Sequence, residues 1–84
     1  MNKERNIAIV TGGSKGIGKS ISLGLAKKNT DLIITYFRDK QNAVKTSNEI
    51  IKLGVKCYTY KVDLSKLEQV EKFCEEIKVK FKQI

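Results

Sequence analysis

Ile7-Ala8-Ile9-Val10-Thr11-Gly12-Gly13-Ser14-Lys15-Gly16-Ile17-Gly18-Lys19-Ser20 decides the fold of this 84-residue chain. An apolar run leads into a glycine-rich turn, and an amphipathic run follows from Ile17. Glycine lets the backbone come close to a ligand, and the helix that follows offers unpaired N–H groups at its positive end. Strand, glycine turn and helix together read as a phosphate-binding device.

Outward from that stretch the pattern repeats. Asn6 to Val10 predicts a buried strand. Ile17, Ile21, Gly24, Leu25 and Lys28 follow helical spacing, with a polar stripe of Lys19, Ser22 and Lys27. Gly24 costs an isolated helix about 1 kcal/mol relative to Ala, so a close approach to a sheet is expected there. Asp31 precedes a second apolar strand, Leu32 to Tyr36. Asp39 is placed as the N-cap of a helix whose apolar face is Ala43, Val44, Ser47, Ile50 and Ile51. Gly54 falls where a left-handed residue ends that helix. Val55 to Val62 alternates and predicts a third strand. Ser65 with Glu68 reads as a capping box, and Leu67, Val70, Cys74, Ile77 and Phe81 form the seam of a third helix. The order βαβαβα implies an α/β fold with a parallel sheet. Right-handed crossovers give strand order 3-2-1, one half of a doubly wound Rossmann-type sheet.

Composition narrows the function. The net charge is +8, and all but two of the seventeen basic residues are lysines spread along the chain. A nucleic-acid module gathers its basic residues on one element and interleaves aromatics, so nucleic acid is not expected as a partner. No apolar stretch approaches the roughly 18 residues of a membrane helix, and no signal peptide is visible. A cytoplasmic protein is the expectation, with no membrane partner. Cys57 and Cys74 lie seventeen apart and there is no histidine. That leaves no usual zinc pattern, and both thiols are expected to be buried and reduced.

The turn fits two motifs. Gly13 to Ser20 matches G-x-x-x-x-G-K-[ST], in which Lys19 would hold phosphates and Ser20 magnesium. Thr11-Gly12-x-x-x-Gly16-Ile17-Gly18 matches T-G-x-x-x-G-[IL]-G. The second pattern resembles the short-chain dehydrogenase/reductase family. So do Leu32-Ile-Ile-Thr-Tyr-Phe-Arg38, at the end of strand two, and Val62-Asp63-Leu64, closing strand three. Three sites in register outweigh one glycine loop. The P-loop reading also wants an acid ending an apolar strand, and Tyr58, Tyr60 and Lys61 make the end of strand three polar.

The resemblance implies roles. Gly12 allows the tight turn, Gly16 the approach of a pyrophosphate, and Gly18 the packing of helix on sheet. The Ile17 N–H would meet a phosphate, and Ser14 and Lys15 would lie beside the adenosine ribose. Asp63 would accept from the adenine amino group and the Leu64 N–H would donate to the ring. A plain turn role for Asp63 is the competing reading. An acid ending strand two would select NAD(H), but that position is Tyr36. Arg38 and Lys15 instead suit a 2′-phosphate, so NADP(H) is expected over NAD(H). As a bare residue, Arg38 reads equally as a solvated loop charge.

The family's chemistry uses a tyrosine, a lysine four residues on, a serine and an asparagine, all after a fourth strand. Residues 1–84 are therefore expected to be the N-terminal part of a dinucleotide-binding domain without the catalytic portion, and no residue here is assigned as catalytic. Tyr36 and Lys40 match Y-x-x-x-K by spacing but sit at the end of strand two. Without a fourth strand, Ile7 to Val10 would be an apolar sheet edge inviting self-association. The stretch 32–54 looks most like 3-oxoacyl-acyl-carrier-protein reductases. The full-length protein is expected to be a homo-oligomer. A non-catalytic nucleotide- or partner-binding fragment and a P-loop nucleotide hydrolase are the alternatives.

Overall fold

Three parallel strands in the order β1-β2-β3 form the frame of the computed structural model, which describes residues 6–81. Strand β1 is Ile7–Val10, helix α1 Gly16–Lys27, strand β2 Asp31–Tyr36, helix α2 Lys40–Ile51, strand β3 Cys57–Lys61 and helix α3 Leu67–Lys80. This is the expected βαβαβα order and the expected strand sequence, read from the other side.

The register pairs Ile9 with Ile33 and Val10 with Ile34, and β3 continues it with Tyr58 on Ile33 and Thr59 on Ile34. Successive side chains leave opposite faces of a strand, so β2 feeds two layers. Leu32 and Ile34 pack with Ala26 of α1, Ile50 of α2 and Val55. Ile33 packs with Val62 and with Phe73, Ile77 and Phe81 at α3. Leu32, Ile33 and Ile34 are sealed completely; each contributes about 1.5–3 kcal/mol by leaving water. Tyr58 meets Phe81 and Tyr60 meets Phe73 edge-on, at ring separations of 4.8 and 5.3 Å, so both tyrosines pack against the α3 layer.

The local signals held at α2. The Asp39 carboxylate accepts from the Asn42 N–H at 3.0 Å as an N-cap, and Gly54 follows the helix at φ +93°.

Other expectations are corrected. In α1 the inward residues are Ser22 and Ala26, while Ile17 is 81% exposed and Ile21 half exposed. The phase of the helix follows Gly18 and Ser22, which meet the glycine turn, and not the isoleucine spacing. A Cβ on Gly24 would have open space, so no close approach explains that glycine. In α2, Thr46 joins Ala43 and Ile50 on the buried stripe, whereas Val44 and Ile51 face out. In α3, Phe73 takes the inward place expected for Cys74, and Leu67 is exposed. The capping box does not form: Ser65 turns its hydroxyl to Asp63, and Lys66 opens the helix without a side-chain cap. Neither cysteine is fully buried; Cys57 is half-buried, Cys74 exposed, and both are free. Burial pushes the Cys57 thiol upward, so it stays protonated at neutral pH.

Candidate functional site

Parallel strands point their carboxyl ends the same way, so the segments after β1, β2 and β3 gather on one edge of the sheet. That edge is where open α/β sheets take ligands. Every sequence-predicted site residue lies there, in residues 12–18, 36–38 and 63–64. The Val62 N–H donates to the Tyr36 carbonyl at 2.8 Å, which ties the second segment to the third.

The glycine turn is shaped by both conformation and contact. Gly12 has φ +66° and Gly16 φ +62°, values an L side chain resists, and a Cβ on either would meet nothing within 4 Å. The ledge beside them is bare. Gly18 differs: its Cβ would stand 2.1 Å from the Gly12 carbonyl oxygen. Gly18 thus lets the helix close on the turn itself, rather than on the sheet as expected. Gly13 is also constrained, though by side chains, because a Cβ there would lie 2.8 Å from Ile34 Cγ2 and 2.9 Å from Ser22 Oγ.

Three buried hydroxyls then fix the turn, and sequence reasoning missed all three. Thr35 Oγ1 accepts from the Gly12 N–H at 3.1 Å. Ser22 Oγ donates to the Gly18 carbonyl at 2.9 Å. Thr46 Oγ1 donates to the Ser14 carbonyl at 2.8 Å. Thr35 left a trace as the polar break in Leu32-Ile-Ile-Thr35. Thr46 left none, since its partner is 32 residues away.

The α1 N-terminus faces the same edge. The Lys19 N–H donates to the Lys15 carbonyl at 3.2 Å. The amides before it, including that of Ile17, belong to the first helical turn, whose N–H groups have no partner within the helix. Their dipoles favour an anion.

Charge is arranged around this ledge. Ser14 is buried, while the Lys15 side chain is 68% exposed and sets Nζ 3.6 Å from Asp39 Oδ2. Arg38 is exposed, with its guanidinium 5.2 Å from the Phe37 ring centre. Tyr36, half-buried, ends β2 with no acid in its place. Lys19 turns away to Glu49 at 3.1 Å, not toward the turn as a P-loop lysine would. Two hydrogen bonds from Asn42, then the nearby Lys15, hold the Asp39 carboxyl below its ordinary value.

Asp63 follows β3. Its Oδ1 accepts from the Ser65 hydroxyl at 2.7 Å and the Ser65 N–H at 3.0 Å. Those bonds, with Lys66 and Arg38 nearby, lower its pKa. The competing turn role is therefore real, and it occupies one of two carboxylate oxygens. Gln69 Oε1 accepts from the Asp63 N–H at 2.8 Å, another support the sequence did not reveal. Leu64 is exposed.

Tyr36 ends a strand and Lys40 opens α2, so the Y-x-x-x-K spacing does not place the two on one helix. Three open hollows, of about 210 to 470 Å³, lie against α3 and away from the glycine turn. Among the described residues no cluster of three metal-binding side chains occurs, and no helix is long and apolar enough to cross a membrane.

The family model for short chain dehydrogenase matches residues 6–84. The chain belongs to the short-chain dehydrogenase family. This short-chain dehydrogenase chain is 40% identical over 68 residues to L-rhamnose 1-dehydrogenase (NADP(+)) of Thermoplasma acidophilum, covering 81% of the chain and 27% of that protein. It is 36% identical over 77 residues to the short-chain dehydrogenase/reductase homolog YusS of Bacillus subtilis, covering 92% and 71%. The structure of the alcohol dehydrogenase from Thermococcus sibiricus, complexed with 5-hydroxy-NADP, aligns at TM-score 0.83 and 32% identity, over 93% of this chain and 33% of that one. The chain spans about a quarter of the length of curated relatives such as the rhamnose dehydrogenase.

Proposed function

We propose that this chain is the NADP(H)-binding portion of a short-chain dehydrogenase/reductase. The observation that carries the reading is one sheet edge. It holds a bare glycine ledge, a helix N-terminus, Lys15 and Arg38, with Tyr36 where an NAD-selecting acid would stand. A pyrophosphate fits against Gly12, Gly16 and the Ile17 N–H. A 2′-phosphate fits Lys15 and Arg38, whose guanidinium can bind it through two hydrogen bonds. Asp63 and Leu64 would frame the adenine. The likeness to L-rhamnose 1-dehydrogenase (NADP(+)) and to the alcohol dehydrogenase complexed with 5-hydroxy-NADP supports the preference.

The dinucleotide would supply hydride exchange with a carbonyl or alcohol substrate when bound. This chain's part is to bind and orient its adenosine end. The tyrosine and lysine of the family's reaction are assigned to sequence following the family's fourth strand, and Tyr36 with Lys40 does not substitute for them. The narrower likeness to 3-oxoacyl-acyl-carrier-protein reductases rests on residues 32–54 alone.

Calorimetric titration with NADP⁺, NAD⁺ and Mg-ATP tests this. Metal-free binding of NADP⁺ at least about tenfold tighter than NAD⁺ is expected, the scale of one charge-assisted pair. Equal affinity would remove the preference, and tight magnesium-dependent ATP binding would return the P-loop reading.

A further inference from the structure

Helix α2 and its cap meet the glycine turn and α1 at three levels. Asp39 meets Lys15 at 3.6 Å, Thr46 holds the Ser14 carbonyl at 2.8 Å, and Glu49 meets Lys19 at 3.1 Å. The outer two are exposed ion pairs, worth little in water. The middle one is buried: Thr46 is 1% exposed and Ser14 5%. We propose that Thr46 is a positioning residue that sets the site's preference for a 2′-phosphate, through the Ser14–Lys15 peptide. The proposal rests on the dinucleotide reading above.

The argument follows the chain. Lys15 is extended, at φ −160° and ψ 168°, and has no side-chain cap bond of its own. Its direction therefore depends on the peptide before it. The carbonyl of that peptide is the one Thr46 grips. A threonine hydroxyl donates one bond, and here it goes to the turn instead of back to its own helix. Ala43 and Ile50 bury the same stripe of α2 and fix the height of Thr46. With the hydroxyl gone, a buried carbonyl loses its donor, and the peptide gains reason to rotate toward water. Lys15 then loses its aim toward Asp39, the residue that follows Arg38. The Gly12 end of the turn keeps its own tether to Thr35, so the 5′-phosphate ledge survives better than the 2′-phosphate one.

The test compares adenosine 2′,5′-bisphosphate with 5′-AMP, which lacks only the 2′-phosphate, on the whole chain. Thr46→Val is expected to reduce the affinity ratio about tenfold, and Thr46→Ser to restore it within about twofold. Ile50→Val removes a methylene from the same helix without touching the turn; it should lower thermal stability and leave the ratio unchanged. In the wild-type chain, Thr46 resonances should shift with the bisphosphate and not with 5′-AMP, a readout that needs no variant to fold. An unchanged ratio in Thr46→Val, an equal loss in Ile50→Val, or a silent Thr46 overturns the proposal while nucleotide binding stands. If neither nucleotide binds the wild-type chain, the dinucleotide reading itself falls, and the role of Thr46 with it.

Discussion

On one face of the sheet, Leu32 and Ile34 lie sealed beneath α1 and α2. On the other, α3 covers Ile33, yet Ile9 of β1 stands 39% exposed beside a hollow of about 210 Å³ lined by Phe73, Cys74 and Ile77. The two faces share one strand, β2, so the backbone is common and only the covering differs. The two-helix face also carries the glycine turn and two of its three hydroxyl tethers, Ser22 and Thr46, while Thr35 follows Ile33 onto the other face. A ledge that must hold a phosphate in fixed geometry needs a rigid layer beneath it. The α3 face carries only the Thr35 tether and the Asp63 turn, and tolerates exposed apolar surface.

The largest effect is expected at Gly18→Ala. A Cβ 2.1 Å from the Gly12 carbonyl cannot be accommodated unless the turn opens. Nucleotide affinity should fall at least about 100-fold, with a stability loss of about 1–3 kcal/mol from overpacking. Retained affinity would mean that the ledge is not the site.

Ile34→Ala and Ile33→Ala test the two faces from adjacent, fully buried positions. Each should cost between about 2 and 5 kcal/mol by chemical denaturation, with Ile34 nearer the top. The closed layer collapses less readily around a cavity than the face held by one helix. Ile34 also supports Gly13, so Ile34→Ala should weaken nucleotide binding and Ile33→Ala should not. Equal losses of binding would erase the distinction.

Thiol labelling sharpens it further. Cys74 lies on the open face, exposed, whereas Cys57 packs against the closed layer with its thiol held protonated. Cys74 should react at least about tenfold faster with a maleimide at neutral pH.

The smallest effect is acid sensitivity. Asp39 and Asp63 are held below the ordinary value of 3.8. Depressed carboxylates stabilise the fold fully above the unfolded value, and that contribution is lost as pH falls through the folded one. Thermal midpoints should therefore change little near neutrality and decline below about pH 4. Asp39→Asn keeps a competent cap, so it should change the neutral midpoint by only about a degree or two while shallowing the acid limb.

The sequence carried the element order, the glycine turn after β1, the Asp39 cap and the Gly54 stop, because each depends on neighbours within a few residues. It misplaced the inward stripe of α1, since hydrophobic spacing cannot say that Ser22 is drawn in by carbonyls of the turn. It misread Ser65 because Asp63, two residues earlier, competes for the same hydroxyl. The site's ends were legible as motifs. Its supports, Thr46 and Gln69, were not, because their partners lie 32 and 6 residues away across a fold.

The central claim is that the edge formed by the three turns takes the dinucleotide. Amide NMR of the whole chain titrated with NADP⁺ in the absence of metal tests it most directly. Shifts concentrated at Gly12 to Gly18, Tyr36 to Asp39 and Val62 to Ser65 are predicted. Shifts confined to α3 and the hollow beside Ile9, with the glycine turn silent, would contradict it.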